Sequence, residues 1–297
     1  MTESICSSSA ADWIRHLIET FLDQPSENCI EAGSEERAWD VPLVGFSRGD
    51  DPLYEAFKEH VGALHWTPRE AFAKAFPEMP VKPRELAVIS WVLPQTEATK
   101  RDNRDATFYP SERWARARVR GEEINDGLRR YLAQKMMSAG VPAFAPVLLP
   151  QWKIGPSERY IMGSSWSERH AAYASGLGTF GLSEGLITEK GKAHRVGSVI
   201  ARIEVEITPR HYSDHHEHCL FFSEGTCRAC IERCPVQAIT EEGHDKVKCY
   251  KHTVAVCGTY VQSRLGLDGG YGCGLCQTGV PCESRIPPKR GETVVEG

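Results

Sequence analysis

The chain has 297 residues, enough for one large domain or two with a substantial buried core. Charged residues make up 25% and hydrophobic residues 41% of the chain, which excludes a disordered or fibrous protein. The net charge of -5 provides no overall attraction for nucleic acid or for an anionic membrane. The apolar run at 86–93 is far shorter than the roughly 18 residues that a membrane helix needs.

The N-terminus lacks the basic and apolar segments of a secretory signal and has no twin-arginine pair. We therefore expect a cytoplasmic protein that has no membrane partner. The chain contains 11 cysteines. Because a reducing compartment disfavours disulfides, metal or iron–sulfur ligation is the leading interpretation of these thiols.

Hydrophobic spacing predicts the elements of the first half of the chain. Residues 12–22 have helical spacing, with Asp12 as the candidate N-cap. Residues 23–52 are rich in Pro, Gly, Ser and charge, which predicts a long surface loop. Two short helices are expected over 52–76, the second beginning at the capping box Thr67-Pro-Arg-Glu70.

The middle of the chain alternates between predicted strands and helices. Residues 86–93 form a continuous apolar run, typical of a strand buried on both faces. A charged helix is expected over 111–140. Further strands are predicted within 141–149, 185–188 and 197–207, and this alternation indicates a layered α/β or α+β architecture.

Nine of the cysteines lie between Cys219 and Cys282, which marks a boundary near residue 210. The first group is Cys219, Cys227, Cys230 and Cys234-Pro235, with the spacing C-x7-C-x2-C-x3-C-P. A [4Fe–4S] cluster needs four thiolates that converge from a tight loop, and the Cys-Pro ending matches the bacterial ferredoxin run. The sequence therefore predicts an iron–sulfur site here.

A second group of cysteines predicts a second cluster. In two-cluster ferredoxins the cysteine before proline ligates the other cluster. Applied here, this rule gives a first set, Cys219, Cys227, Cys230 and Cys282, and a second set, Cys234, Cys249, Cys273 and Cys276. Cys257 is surplus but could replace Cys249, while Cys6 and Cys29 are expected to be ordinary residues. Structural zinc is the alternative, and it fits eight ligands with a Cys-Pro turn less well.

A glycine-rich turn over 166–182 precedes the cysteines. Gly176, Gly178 and Gly181 would let the backbone approach a flat or anionic ligand closely. The spacing G-x-G-x-x-G is met, but it follows a predicted helix rather than a strand, unlike a dinucleotide-binding fingerprint. A tight helix-to-strand turn with no ligand is the alternative interpretation.

These motifs, in this order, resemble the corrinoid-dependent reductases of the epoxyqueuosine reductase and reductive dehalogenase superfamily, as a short cytosolic member. The resemblance covers residues 85–285 and rests on Glu168-Arg169, the glycine turn, the strand block 185–207 and the crossed cysteine motifs. It implies an α+β fold with a nitroreductase-like α/β core and a C-terminal ferredoxin-like module. The implied domains are a capping helical and loop region at 1–84, a cobalamin-binding core at 85–210 and a double-cluster module at 211–297.

The resemblance also implies that cobalamin binds between core and module and is reduced by the near cluster. The implied corrin contacts are Gly176, Gly178, Thr179 and Gly181 on one side and Tyr250 and Thr253 on the other. Epoxyqueuosine reductases have an Asp, their general acid, six residues before the Glu-Arg pair, where this chain has Met162. The candidate catalytic residues are then Tyr173, His170, Tyr160 and Tyr109, with Arg169 expected to lower the pKa of Tyr173.

We therefore interpret the chain as an enzyme, an iron–sulfur oxidoreductase that passes single electrons through two [4Fe–4S] clusters to cobalamin. The expected partners are a small organic substrate and an external low-potential donor such as ferredoxin or flavodoxin. The acidic balance, Met162 and the short tail after Cys282 argue against nucleic acid as a partner. The alternatives are a ferredoxin-like electron carrier or subunit without a corrin, and an epoxyqueuosine reductase acting on tRNA.

Overall fold

The computed structural model describes residues 7–157 and 161–291. Its helices are α1 Ser7–Leu22, α2 Leu53–Val61, α3 Pro68–Ala75, α4 Glu97–Arg104, α5 Glu112–Ser138, α6 Glu168–Ala174, α7 Leu220–Glu224, α8 Ala229–Glu232, α9 Lys246–Tyr250 and α10 Cys257–Leu265. Its strands are β1 Leu43–Arg48, β2 Ala87–Pro94, β3 Ala143–Phe144, β4 Ile154–Ser157, β5 Ile161–Ser164, β6 Thr179–Phe180, β7 Leu186–Ile187, β8 His194–Ala201, β9 Ile239–Thr240 and β10 Gly243–His244.

A four-stranded antiparallel sheet in the order β1-β2-β8-β3 forms the centre of the fold. Every residue of β2 is buried. This confirms the prediction of a strand covered on both faces, and it explains why the strand is apolar throughout rather than alternating.

Helices cover the two faces of the sheet and make a three-layer structure. Ile89, Trp91 and Leu93 of β2 face the layer that contains α1 and α5. Val88, on the opposite face, packs in the layer that contains α2, α3 and α6. The mixed helix and sheet architecture is thereby confirmed, while the nitroreductase-like and ferredoxin-like descriptions stay predictions. In the ranges 7–157 and 161–291, no helix combines the length and apolar character of a membrane span.

Trp91 ties the central strands to α5. Its indole Nε1 donates to Asn125 Oδ1 at 2.9 Å, and Asn125 Nδ2 donates to the Val196 carbonyl at 3.1 Å. The ring occupies the space above Gly197, where an added Cβ would lie 2.4 Å from it. The Trp91 indole N–H and the Asn125 side-chain amide therefore both have hydrogen-bond partners inside the core, as buried polar groups usually do.

Several predicted elements have different limits in the structure. Asp12 is not a cap, because α1 begins at Ser7 and Asp12 instead forms an ion pair with Arg15 at 3.1 Å. The surface loop predicted over 23–52 is wrong in its second half, because β1 lies there with Phe46 fully buried. The strand predicted over 197–207 is shifted, because β8 pairs with β2 only as far as Ala201.

Other predictions agree with the structure. The capping box at Thr67 and Glu70 is present and begins α3, and Ser111 caps α5. β1 pairs in register with β2, from Leu43 opposite Val92 to Arg48 opposite Ala87. The sheet therefore crosses the predicted boundary at residue 84, so the N-terminal segment contributes a strand to the core as well as helices that cover it.

Replacing Asn125 by alanine leaves the Trp91 N–H buried without an acceptor. We expect Asn125→Ala to lower the free energy of unfolding by about 1–3 kcal/mol, the usual cost of an unsatisfied buried polar group. Gln134→Ala, on the exposed face of the same helix, is the matched control. Urea unfolding of both variants measures the difference in their free energies of unfolding. Equal unfolding midpoints would show that the hydrogen bond from the Trp91 indole does not stabilise the fold.

Candidate functional site

The four thiols of the first set line one cavity. Cys219 directly precedes α7, Cys227 lies two residues before α8, Cys230 lies within α8, and Cys282 comes from the C-terminal segment. The remaining wall includes the side chains of Leu182, Ile187, Val280 and Lys192. A space bordered by four thiols and otherwise mainly by apolar side chains has the donor chemistry that a [4Fe–4S] cluster requires.

The thiols of the second set are close enough to perturb one another. Burial raises the pKa of Cys249 to about 12, with Cys276 and Cys234 contributing in the same direction. Burial raises the pKa of Cys276 to about 11, with Cys273 and Cys234 acting in the same direction against Lys192. The Ala238 N–H also donates to Cys234 Sγ at 3.1 Å, the kind of bond that stabilises a thiolate.

The two sets adjoin each other. One apolar cluster contains Cys219 and Cys230 of the first set, with Cys234 and Cys276 of the second set packed against it. Two centres held by these thiols would be neighbours, an arrangement suited to moving single electrons from one to the other.

The surplus cysteines have other surroundings. Cys257 is fully buried, and its Sγ lies 3.5 Å from His252 Nε2, which belongs to a π-helical segment, Lys251–Val256. Cys29 donates to the Ser26 carbonyl at 3.6 Å, and Cys6 lies outside the described residues. Among residues 7–157 and 161–291, no three His, Cys, Asp or Glu side chains are grouped so that they could hold one metal ion.

The glycine turn is closed by the protein itself. Gly176 ends α6 with a φ of 77°, and a Cβ there would lie 2.8 Å from the Pro209 carbonyl oxygen. At Gly178 a Cβ would lie 2.2 Å from the Ile187 carbonyl oxygen. Packing of the chain against itself therefore accounts for these glycines, and the role of Gly176, Gly178 and Gly181 in holding a corrin stays a prediction.

Thr179 connects this turn to the first set. Its buried hydroxyl accepts a hydrogen bond from the His218 N–H at 2.9 Å, next to Cys219. His218 Nδ1 also lies 3.1 Å from the Ile187 carbonyl oxygen. The turn after α6 therefore positions the start of the cysteine-rich segment, which gives Thr179 a clear structural role.

His170 lies on α6 beneath a layer of aromatic rings. Its Nδ1 is 2.8 Å from Ser167 Oγ, and its ring centre is 4.9 Å from those of Phe57 and Phe180. Burial, with the nearby His65 and Arg169, lowers the pKa of His170 well below its usual value. The imidazole is consequently neutral at pH 7 and has no extra proton to give.

Tyr173, one turn further along α6, stays a phenol at neutral pH. Its ring stacks on Tyr212 with centres 5.3 Å apart. Burial raises the pKa of Tyr173, and Arg210 opposes that rise. The sequence predicts that Arg169 lowers the pKa of Tyr173, but the cation that acts in that direction is Arg210. The Arg169 guanidinium instead donates from Nη1 to the Glu184 carbonyl at 2.6 Å.

The other sequence candidates lie apart from this pair. Tyr109 stacks on Tyr260 of α10 at 4.1 Å, beside the second set rather than beside α6. Tyr250 is 54% exposed on α9, and Thr253 Oγ1 donates to the Cys249 carbonyl at 2.9 Å. Tyr160 lies outside the described residues.

Two buried charged groups could not be found from the sequence. The partner of Glu168 is Arg129 of α5, whose Nε donates to Glu168 Oε1 at 3.1 Å. Arg129 is one of several arginines on a charged helix, so no local pattern distinguishes it. Lys192 is the second of these buried charged groups. No pattern in the sequence predicts that it is buried beside the first set.

Known proteins that resemble this chain bear on the site. No family model matches the chain. The epoxyqueuosine reductase of Cellulophaga algicola is 29% identical over 162 residues, covering 52% of this chain and 44% of the relative. That of Synechocystis sp. is 31% identical over 132 residues, covering 42% of this chain and 41% of the relative. The matched stretch thus spans under half the length of these curated relatives.

Solved structures extend the comparison to the fold. A reductive dehalogenase, described as suggesting a mechanism for B12-dependent dehalogenation, has a TM-score of 0.50 at 14% identity and covers 86% of this chain and 30% of its own. The expectation that nucleic acid is not a partner is wrong, because both curated relatives are epoxyqueuosine reductases. Sequence and fold together confirm the resemblance to the epoxyqueuosine reductase and reductive dehalogenase superfamily.

Proposed function

We propose that this protein is an iron–sulfur reductase that binds two [4Fe–4S] clusters and cobalamin and reduces epoxyqueuosine in tRNA. The observation that carries the cluster assignment is the cavity shared by Cys219, Cys227, Cys230 and Cys282. These four thiols come from well-separated positions and correspond to the crossed ligand set of a two-cluster ferredoxin. The names of the curated relatives support the choice of substrate.

The surface beside the second set offers a place for RNA. Lys248 and Lys251 are exposed and flank the exposed Tyr250, directly after Cys249. Lysines that neutralise phosphates beside an aromatic ring available for stacking are the usual means of contacting single-stranded RNA. The net charge of -5 therefore coexists with a local basic surface.

A bound corrin would supply the two electrons for reduction of the epoxide, which also takes up two protons. One proton can come from solvent, and a residue of the chain must deliver the other as the C–O bond breaks. Met162 occupies the position at which the family resemblance places an acid, but a thioether has no proton to donate. Its side chain is 42% exposed. Tyr173 keeps its proton at neutral pH because burial raises its pKa. We therefore propose Tyr173 as the proton donor, with the rings of Tyr212 and Phe180 holding its ring in place.

A small organic substrate is the second candidate. The observation that favours it is the replacement of the expected carboxylic acid by Met162, since a different proton donor is compatible with a different acceptor. The third candidate function is that of an electron carrier that has the clusters but no corrin. The visible spectrum after anaerobic reconstitution separates this last candidate, because a corrin adds absorption that clusters alone lack.

The crossed ligand assignment predicts how one substitution divides the clusters. Cys234→Ser should destroy the cluster of the second set and leave the first set loaded, reducing iron and sulfide from about eight to about four per chain. Cys257→Ser is the matched control and should retain both. Metal and sulfide analysis with electron paramagnetic resonance gives the answer. Stoichiometric zinc without sulfide, or loss of the first cluster alone, would contradict the assignment.

The substrate is tested by turnover under a strong reductant. We expect the reconstituted protein to convert epoxyqueuosine-containing tRNA, detected by mass spectrometry of the released nucleosides. Replacing both Lys248 and Lys251 by alanine should weaken tRNA binding and lower its salt slope by about 1 for each lysine that neutralises a phosphate. Lys135→Ala, on α5, is the matched control. Turnover of halogenated or unsaturated small acceptors with untouched tRNA would instead establish the second candidate.

The proton donor is tested by Tyr173→Phe. We expect the rate of turnover to fall about 10²–10⁴-fold, the usual contribution of a positioned acid, with tRNA binding unchanged. Because the pKa of Tyr173 is raised, the wild-type rate should not decline from loss of this proton between pH 7 and pH 9. Tyr131→Phe on α5, where the ring packs against Phe21 away from α6, is the matched control. A fully active Tyr173→Phe variant would remove Tyr173 from the reaction.

A further inference from the structure

Lys192 is a buried lysine on the wall of the first-set cavity. Its relative exposure is 3%, and its side chain lines the cavity with Cys219, Cys227, Cys230 and Cys282. Its backbone N–H donates to the Cys282 carbonyl at 2.9 Å and to the Glu283 carbonyl at 3.2 Å. The backbone therefore holds Lys192 directly against the segment that supplies one cysteine of the set.

A glycine makes this close approach possible. Gly191 has a φ of 75°, and a Cβ there would lie 2.1 Å from the Glu283 carbonyl oxygen. Any side chain at this position would push the turn away from the 282–284 segment. The turn therefore fixes where the lysine side chain begins, and the ammonium group is placed by the backbone rather than by a flexible loop.

The ammonium group has no carboxylate to balance its charge. Its Nζ donates to Ser183 Oγ at 3.1 Å, and among residues 7–157 and 161–291 no Asp or Glu forms an ion pair with it. A buried charge without a counter-charge is costly, so it normally has a partner of opposite sign. The neighbouring groups able to carry negative charge are cysteines of both sets.

The lysine lies beside cysteines of both sets. Cys282 and Cys230 of the first set line the same cavity as Lys192. Cys276 of the second set packs against the apolar cluster that contains Cys230, and it is among the groups whose charge acts on Lys192. Lys192 is therefore next to the first set and within electrostatic reach of one thiol of the second set.

We infer that Lys192 supplies the counter-charge for the first cluster and raises its reduction potential, with a smaller effect of the same sign on the second. This inference rests on the two clusters of the proposed function. Adding an electron makes a cluster more negative, and a fixed positive charge beside it stabilises the reduced form more than the oxidised form. Lys192 therefore acts through the first cluster, whose charge it balances, and it needs no contact with substrate.

The test compares reduction potentials in anaerobic titrations followed by electron paramagnetic resonance. In Lys192→Met and Lys192→Gln, we expect the equilibrium constant for one-electron reduction of the first cluster to fall at least tenfold, which is about 59 mV. The second cluster should shift less, in the same direction. Lys190→Met, an exposed lysine in the same turn, is the matched control and should leave both potentials unchanged.

Each outcome decides the matter. Loaded Met and Gln variants with wild-type potentials would overturn the inference. If neither neutral variant holds the first cluster but Lys192→Arg does, the site requires a positive charge and the inference stands. If Lys192→Arg also fails to hold the first cluster, the site requires the shape of lysine and the inference falls. Wild-type protein without iron and sulfide would contradict the two-cluster proposal itself, which distinguishes that failure from failure of the role of Lys192.

Discussion

The collection of many thiols into one small volume is the constraint on which the functional half of this protein depends. Four thiols around one cavity would become negatively charged on ligating iron, and a second group lies against the same apolar cluster. Charge of one sign cannot be concentrated in an interior without compensation. Backbone N–H groups, such as that of Ala238 toward Cys234, and the buried ammonium of Lys192 provide part of it.

The three-layer core supplies the rigid frame that holds this charge in place. Glu168 begins α6 and accepts hydrogen bonds from Arg129 of α5 and from Ser198 of β8, while Trp166 Nε1 donates to the same serine at 2.9 Å. One buried network thus fixes α6 against both the sheet and a helix of another layer. The turn that follows α6 then packs on β7 and on the segment that leads into Cys219.

The sequence predicts well those features that depend on local chemistry. The capping box at Thr67, the apolar run that becomes β2 and the long helix α5 follow from short-range patterns. The four cysteines that the spacing assigns to the first set line one cavity, while their role as cluster ligands stays a prediction. β1 could not be predicted in the same way, because its strand character depends on pairing with β2, far along the chain.

Electrostatic partners were the least predictable part of the site. Arg169 is adjacent to Glu168 in sequence, yet the buried partner of Glu168 is Arg129, 39 residues away. The glycines of the turn predict a ligand contact, and the sequence does not show that Gly178 also closely approaches the carbonyl of Ile187. Such pairings depend on which surfaces meet in three dimensions, and a pattern along the chain carries no record of them.

The central claim is that two iron–sulfur clusters occupy the two cysteine sets. Iron anomalous scattering from crystals of anaerobically reconstituted protein tests it most directly. The account predicts two separate iron peaks, one among Cys219, Cys227, Cys230 and Cys282 and one among Cys234, Cys249, Cys273 and Cys276. A single peak, or scattering at the zinc edge in place of iron, would contradict it.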